Sequence, residues 1–375
     1  MAKKALLTVG GVYRKNKKAF ATVNGVYRKI RKAYVTIGGV YRPCWSGGKL
    51  EKYGTKTDLA RYMFAGTAIG NKALFGGGQN GTGSSYIQDV SVFDNSLTRT
   101  QAPNLTSKRT NLAASSNGGY AIFGSGYGGL PHVDAYNAGL TMFQAPKPDV
   151  GRYRVGAATI GNKVLFAGGT DAYGKRTKNT DAYDGSLTRT VPEYMNDVKD
   201  EVCGVTIGNH ALFVGIETSK TSYIYMYSVD AYDENLTRTN PENFTTFRTQ
   251  VSAATAGDYV IFVGGYANTG AVTSVECYDK NLTKVAAPDM SVARKWTAAT
   301  SIEDFAIFAG GYVTSGAVFK DTVDVYDASL TRTDGAALAT PRYSAVAVTL
   351  GDYALIADGK ISSSASDMVD VYTVV

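Results

Sequence analysis

Helical periodicity is missing from this chain, histidine is nearly so, and the first fifty residues contain no acidic side chain. Each absence excludes something. The two histidines, His132 and His210, cannot supply a multi-histidine metal site or an imidazole-based triad. The three cysteines, Cys44, Cys203 and Cys277, are odd in number and far apart, which excludes a disulfide framework and cysteine-rich metal spacing. No apolar run approaches the ~18 residues of a membrane-spanning helix, so membrane insertion is not expected. The opening "MAKKALLTVGG" has too short an apolar stretch for a secretion signal. Export other than by a signal peptide, and synthesis in a reducing cytoplasm, are the expectation. No cofactor or metal is expected. What is present is glycine, 42 residues, and tyrosine, 26, with only 9 prolines, a composition suited to many strands and tight turns.

The net charge of +7 conceals an asymmetry. Residues 1–50 carry 12 Lys/Arg and no Asp/Glu, and the remaining 27 basic and 32 acidic residues leave the rest at −5. The basic opening repeats every 14 residues: Tyr13, Tyr27 and Tyr41 fall in register, as do Arg14, Arg28 and Arg42. Asn24-Gly25 and Gly38-Gly39 between β-forming runs are two-residue hairpin signals, because both residues tolerate positive φ. Residues 1–48 therefore read as a small antiparallel β-meander, too small for a robust core of its own.

From residue 49 a longer period takes over. The motif V-D-x-Y-D-x-x-L-T-R-T appears as "VSVFDNSLTRT" (90–100), "VDAYNAGLTMF" (133–143), "TDAYDGSLTRT" (180–190), "VDAYDENLTRT" (229–239), "VECYDKNLTKV" (275–285) and "VDVYDASLTRT" (323–333). A truncated copy, "VDVYTVV", stands at 369–375. Its aromatic slot (Phe93, Tyr136, Tyr183, Tyr232, Tyr278, Tyr326, Tyr372) recurs at intervals of 43 to 49 residues. Upstream of each copy stands a basic residue, then a turn nine positions later, then an apolar strand ending in glycine, as in "RYRVGAATIGNKVLFAGG" (152–169). Seven such units with four strand candidates each predict an all-β, seven-bladed β-propeller over residues 49–375. The pattern resembles the kelch repeat, although the family's outer-strand Trp is replaced by the Leu-Thr-Arg-Thr segment. Because the last copy is truncated, residues 49–62, with Leu50 in the leucine slot, are expected to supply the missing outer strand of blade seven.

Catalytic constellations are scarce. "GGGQNG" (76–81) fits a phosphate-loop pattern, but a strand pattern follows it where a helix is required. The carboxylates Asp134, Asp181, Asp230, Glu276, Asp324 and Asp370 recur in one slot, which marks scaffold use, and no enzymatic activity is expected. The recurrent basic residues Arg61, Arg109, Arg152, Lys199, Arg248, Arg294 and Arg342 should form a ring near the central channel. That ring is either a cationic mouth for an anionic ligand or a set of structural ties to neighbouring carbonyls and carboxylates. The loops between second and third strands differ from blade to blade and favour Tyr, Ser, Gly and Asn, a composition suited to recognition. In the fourth of them Tyr223, Tyr225 and Tyr227 alternate, which fits either an extended hairpin or a recognition surface.

The "GVYRK" and "KAYVTIGGVYRP" units also resemble repeats at the start of phage and prophage structural proteins of Gram-positive bacteria. That resemblance implies an attachment module, with Tyr13, Arg14, Tyr27, Arg28, Tyr41 and Arg42 facing other virion or tail proteins, such as those of a fibre or baseplate, in a multi-copy assembly. It also implies a propeller displayed as a receptor-binding head for a host cell-surface glycan, teichoic acid or protein. A capsid or tail decoration without ligand, and an intracellular kelch-type adaptor, are the alternative readings. Nucleic acid is a less expected partner, since no recognised nucleic-acid module accompanies the basic repeats.

Overall fold

The computed structural model describes residues 19–23, 26–30, 32–37, 40–46, 50–81, 85–128, 131–218, 225–226, 228–362 and 364–374. Side chains are described from residue 50 onward, except at 216–218 and 225–226. The chain divides into two compact units, Met1–Glu51 with Thr373–Val375, and Lys52–Tyr372.

In the first unit the repeat folds as separate hairpins. Ala19–Val23 pairs with Val26–Ile30 and Lys32–Ile37 with Val40–Ser46, each as a two-stranded sheet. The registers Val23↔Val26 and Ile37↔Val40 leave Asn24-Gly25 and Gly38-Gly39 as the connections. Of the expected β-meander of short hairpins, the described residues show two hairpins, each a two-stranded sheet. Tyr27, Arg28, Tyr41 and Arg42 lie on the second strands of these hairpins, while Tyr13 and Arg14 fall outside the described residues.

The second unit is a seven-bladed β-propeller. Six sheets have four strands, and the fourth blade gains a fifth at Tyr225–Met226. The first strands, Ala65–Ile69, Ala113–Ser116, Gly156–Ile160, Asp200–Ile207, Ser252–Ala256, Ala298–Ile302 and Val346–Leu350, touch one another in a closed circle. Hydrophobic cores lie between adjacent blades. Phe64, Phe75 and Phe93 of blade one pack with Leu350, Leu355 and Val369 of blade seven, so the interface between first and last blades is filled like the others. Blade seven runs Val346–Leu350, Tyr353–Ala357, Met368–Val374, then Leu50–Lys56.

The repeated letters have specific work. The third-strand tyrosine sits edge-on to the second-strand phenylalanine, as in Phe123–Tyr136 (5.9 Å, 88°) and Phe308–Tyr326 (5.8 Å, 84°). Its hydroxyl donates to a backbone carbonyl, Tyr136 to Pro103 at 2.8 Å and Tyr372 to Ala336 at 2.8 Å. The following Asp caps the hairpin to the fourth strand: Asp184 Oδ1 accepts from the Ser186 and Thr188 N–H groups at 2.9 Å each. The Leu of that hairpin takes positive φ in six blades (58–66°), as at Leu187 and Leu236. Where the strand ends in Gly264-Gly265, φ is +57° and +107°, and a Cβ on either residue would run into the carbonyls of Arg294 and Thr249.

Candidate functional site

The recurrent basic residues do not line a mouth. Arg61, Arg109, Arg152, Lys199, Arg248, Arg294 and Arg342 are 0–2% exposed. Five of them pair with the third-strand acid of their own blade: Arg109 with Asp134 (2.7 Å), Lys199 with Asp230 (2.7 Å), Arg294 with Asp324 (2.6 Å), Arg342 with Asp370 (2.7 Å), and Arg152 with Asp181. Arg248 meets Ser274, and Glu276 turns to Lys284 (2.8 Å). Burying a charge is costly unless it is paired, and in five blades the recurrent acid is the partner, so of the two readings of these positions the geometry supports the structural tie and not the cationic mouth. The same acids accept backbone N–H bonds, such as Asn196 to Asp230 (2.9 Å) and Ser291 to Asp324 (3.0 Å).

Blade one breaks this rule, because Ser91 stands in its acid slot. Arg61 instead reaches across to blade seven, where Asp358 occupies a position that is glycine in five of the other six blades and Ser125 in blade two. Arg61 Nε donates to Asp358 Oδ2 at 2.9 Å, and Thr57 Oγ1 donates to Asp358 Oδ1 at 2.5 Å. Lys52, on the borrowed outer strand, pairs with Asp370 at 2.8 Å, as Arg332 pairs with Asp324 at 2.6 Å. The borrowed strand thus reproduces the Leu-Thr-Arg-Thr register.

The mouth is built two residues further along each blade. Met63, Asn111, Arg154, Glu201, Gln250, Trp296 and Ser344 all have φ between +48° and +57°. Left-handed backbone costs non-glycine residues roughly 1–2 kcal/mol each, yet none of the seven is glycine. A belt of backbone hydrogen bonds holds part of the ring: Asn111 N–H to Met63 O (2.8 Å), Arg154 N–H to Asn111 O (2.9 Å), Ser344 N–H to Trp296 O (3.2 Å). All seven line one cavity of about 430 Å³ at the start of the innermost strands. Inside the channel, hydroxyls bridge neighbouring first strands, among them Ser115–Thr159 (2.7 Å), Thr255–Ser301 (2.8 Å) and Thr300–Thr349 (2.7 Å).

The rim is polar on one arc and aromatic on the next. Arg154 Nη1 lies 3.3 Å from Asp200 Oδ2 and 3.9 Å from Glu201 Oε1, and Gln250 Nε2 donates to Glu201 Oε1 at 3.3 Å. Burial raises the Glu201 carboxyl above the usual carboxylate range and lowers the Lys295 ammonium. The Lys295 ammonium lies 4.1 Å from the Trp296 ring and 4.3 Å from that of Tyr266. Trp296 stacks on Tyr343 (5.3 Å, 22°), which in turn stacks on Phe319 (5.4 Å, 27°). Across the face a second series runs Tyr86–Tyr127–Tyr153 at 6.0 and 5.1 Å, with Tyr127 half exposed and Tyr173 fully exposed at a loop tip.

Of the three loop tyrosines, Tyr225 pairs with Thr218 in an extended hairpin, while Tyr223 and Tyr227 fall outside the described residues. After the glycine-rich 76–81 segment the next element is the strand Val90–Asp94. Among the described residues, no group of three or more His, Cys, Asp or Glu could hold a metal ion. Burial pushes the Cys203 and Cys277 thiols up to about 12, far from nucleophilic at neutral pH. Sequence reasoning missed the rim. Its only linear signal is a position, two after each recurrent basic residue, where every blade carries a different residue.

Fold and rim together define a class: a seven-bladed propeller with repeating buried ties and a non-repeating axial mouth. Within that class, no protein-family model matches the chain, and none of the curated proteins compared with it matches.

Proposed function

We propose that this chain is a non-enzymatic structural protein of a phage or phage-tail-like particle, whose basic N-terminal repeats attach it and whose kelch-type propeller binds a host-surface ligand. The observation that carries the reading is the rim: seven equivalent left-handed positions hold Met, Asn, Arg, Glu, Gln, Trp and Ser, while the buried slots around them repeat. A scaffold without a ligand needs no such divergence at strained positions. The clustered aromatic rings beside polar groups suit recognition of a surface molecule. The repeat module, with its 12 basic and no acidic residues up to residue 50, suits docking on an acidic assembly.

The test is adsorption of purified full chain to host cells, comparing wild type with Trp296→Asn and Gln250→Asn. Asn is what blade two carries at the same backbone position (Asn111, φ 53°), so both variants are expected to fold. Loss of adsorption with an unchanged melting temperature supports the reading. Undiminished adsorption by both variants, or loss of particle integrity without loss of adsorption when the gene is deleted, favours a decoration role instead.

A further inference from the structure

We infer that the axial mouth holds a neutral sugar ring. This deepens the proposed binding function and rests on it. Three acceptor atoms beside the cavity are buried and lack a donor: Glu201 Oε2, Gln250 Oε1 and, next to them, Asp200 Oδ1. Nearby protein donors are directed elsewhere. Arg154 points at Asp200, the Gln250 amide N–H at Glu201 Oε1, and the Lys295 ammonium lies over the Tyr266 and Trp296 rings. Rim N–H groups such as those of Arg154 and Ser344 are bonded to rim carbonyls. Hydroxyl donors on an occupant would satisfy these acceptors, and a buried acceptor left without a donor is unfavourable.

Charge narrows the occupant further. Arg154 and Lys295 balance Asp200 and Glu201, so the site needs no net charge from its ligand. A phosphate would bring further acceptors and negative charge to a place that already holds two carboxylates. The volume, about 430 Å³, falls within the roughly 300–1,000 Å³ of small-molecule sites. The wall is two-sided: the acceptors come from blades four and five, while Leu112, Val155 and Trp296 offer carbon surface elsewhere. A pyranose has the matching character, with hydroxyl donors at its edge and C–H groups on its face. Single waters would satisfy the acceptors but make no use of the apolar arc.

The experiment titrates the full chain with methyl β-glucopyranoside, N-acetylglucosamine and glycerol 3-phosphate, read by saturation-transfer NMR and calorimetry. Binding of at least one neutral sugar and none of glycerol 3-phosphate is expected. Gln250→Met and Glu201→Met should each weaken that binding tenfold or more. Met occupies the same left-handed position at Met63 (φ 54°), and a thermal melt verifies that the variants fold. Binding of glycerol 3-phosphate alone, of no probe, or of sugar with wild-type affinity by both variants overturns the inference. Cell adsorption separates the two claims. Wild-type adsorption unaffected by both Met variants sinks the sugar site and leaves the binding head standing, whereas absent wild-type adsorption sinks the head itself.

Discussion

Removing the Asp358 carboxylate is expected to weaken the propeller where its ends meet. Arg61 and Asp358 are both fully buried, and they join blade one to blade seven, whereas the equivalent pairs elsewhere lie within a blade. In Asp358→Gly, Arg61 keeps only the Asp89 carbonyl (3.0 Å) and Ser91 hydroxyl (2.9 Å), and Thr57 loses its acceptor at Asp358. Stripping one partner from a buried pair costs about 3–5 kcal/mol. The unit of about 320 residues has an unfolding entropy near 0.7 kcal/mol/K at ~2.1 cal/mol/K per residue, so Tm should fall by about 4–7 °C. Glycine is the residue five other blades carry there, and Asp358 itself has φ 54°, a conformation glycine adopts without strain. The decisive comparison is Ser91→Asp combined with Asp358→Gly, which moves the acid into the slot used by the other blades. Differential scanning calorimetry should show the double variant recovering at least half of the loss. A single variant within 1 °C of wild type, or a double variant no better than the single, would refute the claim that this pair staples the ring shut.

Other outcomes follow from the same structure. Lys52→Met on the borrowed strand, which removes one of the two cationic partners of buried Asp370 and leaves Arg342, should lower Tm by about 2–4 °C, with hydrogen exchange rising first along Leu50–Lys56. Asp184→Ala, which deletes two turn bonds at 2.9 Å, should cost about 1–2 kcal/mol in denaturant melts. Glu201 has its folded pKa raised by burial, so the native state holds this proton more tightly than the unfolded chain does. Its contribution to stability therefore declines as pH rises above the unfolded value of ~4.3, and Glu201→Gln should gain Tm relative to wild type across that rise. If the blade-four hairpin takes part in recognition, Tyr223, Tyr225 and Tyr227 changed together to Ala will abolish cell adsorption at constant Tm; unchanged adsorption confines recognition to the mouth.

The seven copies of V-D-x-Y, the hairpin leucines and the glycine pairs fix blade number and strand order in the linear chain, because each blade is a local meander whose turns are specified nearby. The borrowed strand was legible for the same reason: Leu50 and Lys52 repeat the leucine and basic slots of a motif the last copy lacks. The role of the basic ring was not legible. Whether Arg109 or Arg342 faces solvent or an acid depends on how second and third strands close over it, and a one-dimensional pattern carries no burial for a charged residue. Nor could spacing foretell that Arg61 would reach Asp358, 297 positions away, because that contact exists only once the circle closes. The mouth belongs wholly to tertiary structure. Met63, Asn111, Arg154, Glu201, Gln250, Trp296 and Ser344 share no chemistry that a repeat could reveal, and only packing seven first strands around one axis brings them to a single rim.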